Sequence, residues 1–186
     1  MNTFKKIITL ILLLSFTVTF SQIESKKITP PSEGKTVIYF LRTSSLGALM
    51  NIRYFDSGKY LGKFNGRNYL RYECDPGEKT FWIKAENIDV LKANLEANKI
   101  YLVETNAVMG GFSAGAKFKL IDFNKKSQVK RINKLLKKKD SKTFTEEELK
   151  EQLEKMKNAF QKGMKKVSKK VKKGKFKELN SDMNFK

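Results

Sequence analysis

Any chemistry in this chain must do without histidine, which is absent from its 186 residues. The usual near-neutral proton carrier and commonest metal ligand is therefore missing. That excludes Ser–His–Asp triads, Cys–His pairs and histidine-based zinc sites. Carboxylates survive as the common catalytic option, with Asp56, Glu73, Asp75, Glu86, Asp89 and Glu104 as candidates. A carboxylate-based hydrolase acting on cell-wall or extracellular polysaccharide needs two of them facing each other across a cleft, about 5–9.5 Å apart. No spacing favours a pair. In the tightest cluster, Glu73, Asp75 and Glu78, the last two lie in an Asp-Pro-Gly-Glu turn, and polar turn residues account for it. The one thiol, Cys74, ends an alternating run that begins at Tyr69 and reads as a buried or half-buried strand position. A single cysteine forms no internal disulfide, and no cofactor or metal is expected.

The second chemical feature is cationic. Lys165, Lys166, Lys169, Lys170, Lys172 and Lys173 crowd the end of a helical pattern, with Lys175 just beyond. A basic amphipathic helix lies well on anionic headgroups, each nearby lysine contributing about 1 kcal/mol. These lysines are the candidates for contact with anionic lipid, lipopolysaccharide or another extracellular polyanion. The same pattern carries Leu149, Leu153, Met156, Phe160, Met164, Val167 and Val171 at spacings of 4, 3, 4, 4, 3 and 4. That stripe is one apolar helix face, suited to a protein partner, to a coiled coil or to docking on the chain's own sheets. In the last case the lysines are a solvated outer face.

These residues have to be positioned by the elements around them. Lys5 and Lys6 precede a 14-residue apolar run, 7–20, and small residues Thr19 and Ser21 mark a cleavage site before Gln22. This pattern is that of a secretory signal peptide over residues 1–21, and the run is short for a spanning helix. An exported chain, periplasmic, outer-membrane-associated or extracellular, with no integral membrane span after cleavage, is the expectation. Export also separates it from the cell's nucleic acid. Residues 22–35, with Pro30 and Pro31, read as an extended linker. Residues 36–123 hold about eight short β runs at 36–42, 50–56, 59–64, 69–74, 79–86, 90–95, 99–105 and 116–123, divided by turn residues such as Asn65-Gly66. They predict a mainly β protein, an antiparallel sandwich whose core is rich in aromatics. The glycine-rich segment 109–115 lacks a P-loop lysine and reads as a connection between strands.

Past Phe123 the composition changes. Residues 23–123 carry 15 Lys/Arg against 11 Asp/Glu, whereas residues 124–186 carry 22 against 8. Trp82 and all six tyrosines precede the break. Residues 124–186 therefore read as a basic amphipathic extension with two helices. The first covers about 125–139, with Val129, Ile132, Leu135 and Leu136 on one face. The second is long and uninterrupted, opened by a Thr145/Glu148 capping box and ended near Gly174. Residues 175–186 are expected to fray.

The stretch Tyr54-Phe55-Asp56-Ser57-Gly58-Lys59-Tyr60-Leu61-Gly62-Lys63-Phe64-Asn65-Gly66, continued by Tyr69 and Asp75-Pro76-Gly77-Glu78-Lys79, resembles a family of small secreted bacterial β-domains, similar in look to PEGA-type surface domains. Arg42-Thr43-Ser44-Ser45 is similar to that family's Arg-Pro-Ser-Ser motif, with Thr43 in place of Pro. Residues 96–101 resemble its late Gly-Lys-x-Tyr hairpin. Ser57 separates Asp56 from Gly58, and Lys79 stands where the family has His. The likeness covers about residues 35–123. It implies a β-sandwich and an envelope location, without an activity. The Phe-Ser-Gln leader end and the lysine-rich chain also resemble Bacteroidetes-type envelope proteins. Together these readings favour an exported, non-catalytic binding or structural module over an enzyme.

Overall fold

The computed structural model describes residue 23, residues 26–109 and residues 114–185; the leader pattern and most of the glycine-rich segment lie outside them. Eight strands run from β1 to β8: β1 Thr36–Arg42, β2 Ile52–Asp56, β3 Lys59–Phe64, β4 Asn68–Cys74, β5 Gly77–Lys84, β6 Ile88–Leu95, β7 Ile100–Met109 and β8 Ala114–Leu120. Helix α1 (Lys126–Lys138), β9 (Ser141–Lys142), α2 (Glu146–Lys155), α3 (Lys157–Lys172) and β10 (Lys177–Leu179) follow. The chain is mostly β, in two five-stranded sheets of order β8-β7-β1-β4-β9 and β10-β6-β5-β2-β3.

One apolar cluster fills the space between the sheets. Ile38, Phe40, Leu70, Tyr101, Val103 and Phe118 from the first meet Ile52, Tyr54, Phe64, Phe81, Ile83 and Leu91 from the second. Alternation then sends the intervening residues outward. On the first sheet Val37, Tyr39, Leu41, Tyr69 and Leu102 pack under Val129, Ile132, Leu135 and Leu136 of α1. On the second, Phe55, Tyr60, Trp82, Ile88 and Val90 pack under α2 and α3. Both sheets are thus covered on both faces, giving four layers, helix–sheet–sheet–helix. All seven residues of β1 are buried, which is what its unbroken apolar run requires of a central strand.

Several expectations need correction. The sheets are mixed rather than antiparallel: β1 pairs parallel with β7, β4 with β9 and β6 with β10. Among the described residues there are ten strands, not eight, because residues after Phe123 add one short strand to each sheet. Among the described residues, the helices after Phe123 number three, not two, since Met156 leaves helical geometry at φ −121° and ψ 18° and divides the long pattern. The capping box at Thr145 and Glu148 is present as anticipated. Residues 175–185 do not fray: Leu179 is buried, and Phe185 N–H donates to the Ile100 carbonyl. Ahead of β1, Ile23 packs beneath α1, and the Tyr39 hydroxyl accepts from Thr29 N–H at 2.9 Å while donating to the Lys27 carbonyl.

Candidate functional site: a lysine groove beside helix α3

Helix α3 crosses the second sheet because one glycine lets it approach. A Cβ on Gly163 would stand 2.9 Å from the Trp82 ring, closer than real contacts allow. Trp82 stacks on Phe55 with centroids 3.7 Å apart, and Phe160 of the helix lies 5.9 Å from the Trp82 ring. The apolar stripe serves this docking. Val167 is buried against the sheet, with Leu149, Leu153, Met156, Phe160, Met164 and Val171 partly buried around it. Tyr60 adds a polar clasp, donating its hydroxyl to Gln152 at 2.9 Å. The stripe singled out for a partner helix therefore meets the chain's own sheet.

Docking in this orientation turns one lysine row toward the β5–β6 turn. Lys166, Lys169, Lys170 and Lys173, with Lys175, line a groove of about 440 Å³ whose other wall is Lys84, Glu86, Asn87 and Ile88. Four of the six lysines singled out from sequence thus converge. Lys165 and Lys172 are exposed but lie outside the groove lining. Among the described residues, no ion pair engages any of the six lysines lining the groove. Glu86, the one acid in the lining, accepts from Ala114 N–H instead. Partial burial, then the nearby charges of Lys166 and Arg53, hold the Lys84 ammonium below its ordinary pKa. With six lysines against one carboxylate, the groove is a net cationic site, one that favours an anion on electrostatic grounds.

Lys84 escaped the sequence reading of this site, although a signal for it was present. Thr80, Trp82 and Lys84 share one strand face, so whatever covers Trp82 also approaches Lys84.

The carboxylates fall on separate structural partners. Glu73 accepts from Arg71, Asp75 from Lys35 and Asp56 from the Tyr72 hydroxyl. Asp89 binds Lys177 and Phe118 N–H. Glu104 is fully buried and accepts from the Thr43 hydroxyl and the Gln128 amide, tying α1 to the first sheet. No group of three or more acidic or cysteine side chains suited to a metal ion occurs among the described residues, and none of their helices is long and apolar enough to cross a membrane. No family model matches the chain, and neither a curated protein nor a solved structure is significantly similar to it.

Proposed function

We propose that this chain is an exported, non-catalytic envelope module, a two-sheet sandwich whose basic helix holds the protein on an anionic surface. The observation that carries this reading is the groove beside α3, lined by six lysines without an acidic partner. The plain alternative is that lysines at a helix C-terminus merely offset the helix dipole. That effect is worth about 0.3–1 kcal/mol per cation and is confined to the last turn. It does not account for Lys84 and Lys175, which lie outside the helix, nor for Lys166, which sits nearly two turns from its end. Six lysines near an anionic surface supply up to about 6 kcal/mol. The separate structural engagement of the six carboxylates supports a binding role over a carboxylate hydrolase.

Sedimentation with phosphatidylglycerol-containing vesicles tests the reading. Binding should be strong at low salt and fall steeply by about 0.3 M, where screening shortens to a few ångströms. Lys166→Glu with Lys170→Glu, both in the groove, should weaken binding at least tenfold, taking about 1 kcal/mol per lost lysine plus repulsion. Lys165→Glu with Lys172→Glu makes the same charge change outside the lining and should cost much less. Equal losses in the two pairs would mean that net charge, not the groove, does the binding.

A further inference from the structure

Four large apolar side chains stand in water among the described residues: Leu46 at 51% exposure, Leu49 at 90%, Met109 at 70% and Met183 at 37%. The first three belong to one end of the two-sheet stack. β1 ends at Arg42 opposite Asn68, the start of β4. The loop after β1 passes over β7, since a Cβ on Gly47 would stand 3.1 Å from the Ala107 Cβ, two residues before Met109. It also reaches the β3–β4 turn, where Gly66 N–H donates to the Ala48 carbonyl at 2.8 Å. The β5–β6 turn joins the same end. Asn87 exchanges two hydrogen bonds with the Ala116 backbone, and Ala114, which its neighbour Glu86 holds, is the register partner of Met109.

The loop is held from within. Arg42 is fully buried, and its guanidinium donates to the Met50 carbonyl at 2.6 Å and to the carbonyls of Leu46 and Gly47. Its Nε has no partner. Burying a charged fork to fix three loop carbonyls is costly, yet the loop so fixed presents Leu46 and Leu49 to solvent. Cations flank this end on both sides. Arg67, Arg131, Lys134 and Lys138 line a cleft of about 680 Å³ beside α1, and Lys84 and Lys166 stand on the α3 side.

We infer that this end is a membrane-insertion face: Leu46, Leu49 and Met109 enter the acyl region of an anionic phospholipid bilayer while the flanking Arg and Lys side chains hold its phosphates. The inference rests on the anionic-surface reading and names that surface. Three side chains fall well short of the roughly 800 Å² per partner of a stable protein interface. A bilayer needs no such area, because burying each leucine strengthens partition about tenfold and each nearby cation several-fold. Insertion also adds what charge alone lacks, a component that survives salt.

The test compares full-length variants on vesicles of phosphatidylglycerol and phosphatidylcholine at about 0.5 M salt, where the ionic component is screened. The wild-type protein should retain measurable partition, and Leu46→Ser with Leu49→Ser should lose about a hundredfold, tenfold per leucine. An environment-sensitive fluorophore attached after Leu49→Cys, with Cys74 buried, should shift to the blue on the mixed vesicles and not on phosphatidylcholine alone. Unchanged partition in the leucine variant, no blue shift, or no vesicle binding by the wild-type protein would overturn the inference. So would a wild-type dimer that the leucine substitutions convert to a monomer. In the low-salt assay, where lysine contacts are not screened, loss confined to the leucine variant would sink the α3 groove and leave the insertion face standing. Loss confined to the groove-lysine variant would do the reverse.

Discussion

At the scale of single residues, burial changes the chemistry of the one thiol, Cys74. Burial on the inner face of β4 raises its thiol to about 11, partly offset by Lys79. Two consequences follow. At pH 8 only about one thiol in a thousand is ionised, so a disulfide reagent should label the native protein slowly and the unfolded chain at once. In the unfolded chain the same thiol ionises near 8.5. Between about pH 8.5 and 11 the folded state therefore holds a proton that the unfolded state has lost, and stability falls as pH rises. For one proton the slope is at most about 1.4 kcal/mol per pH unit. Tyr60, raised to about 12 by burial, acts in the same direction at higher pH. Denaturant midpoints should decline from pH 8.5 to 11 in the wild-type protein and decline less in Cys74→Ala, which starts lower because it leaves a small cavity. A midpoint independent of pH over that range would show the thiol to be solvated.

At the scale of elements, the clearest conflict is between helix propensity and packing at Gly163. In an isolated helix Gly→Ala gains about 1 kcal/mol. Here the new methyl would strike the Trp82 ring, which is held in place by Phe55 stacked on it and Phe160 beside it. Gly163→Ala should therefore lower Tm and raise amide exchange along α3, despite its better propensity. A raised Tm would mean that the helix floats on the sheet. This contact also marks where sequence reading stops. The 4-3-4 spacing from Leu149 to Val171 identified the buried face, and β1 and β3 fall at their anticipated bounds, because period and turn residues are local signals. The division of the helix at Met156 carries no Gly or Pro to announce it. β9 and β10, of two and three residues, are too short to show any period. The groove was half legible. Lysines on one helix declare themselves, but their meeting with Lys84 depends on how Gly163 seats the helix. The Arg42 network stayed hidden, since three backbone carbonyls have no sequence signature.

At the scale of the whole molecule, charge and packing divide the chain differently. Composition breaks near Phe123, yet the residues beyond it supply both outer helix layers and an added strand in each sheet. Without them, Val37, Tyr39, Leu41, Tyr69 and Leu102 would be bare on one face, and Phe55, Tyr60, Trp82 and Val90 on the other. At about 1.5–3 kcal/mol each, nine such side chains represent roughly 15–25 kcal/mol of burial. A domain's whole margin is about 5–15 kcal/mol. Even after a generous allowance for structure in the unfolded chain, the lost burial is about 9–15 kcal/mol, comparable to that whole margin. Removing β9 and β10 would also expose β4 and β6 as unpaired sheet edges, which invite association. A chain of residues 22–123 should accordingly aggregate or bind a hydrophobic dye, and show no cooperative unfolding. A chain of residues 22–185 should be monomeric and cooperative. If the shorter chain instead stays monomeric and melts sharply, the sheets are self-sufficient and the basic helices are an accessory laid on a finished domain. In that case α3 would be free to leave Trp82 on meeting an anionic surface, and binding would raise its amide exchange rather than suppress it.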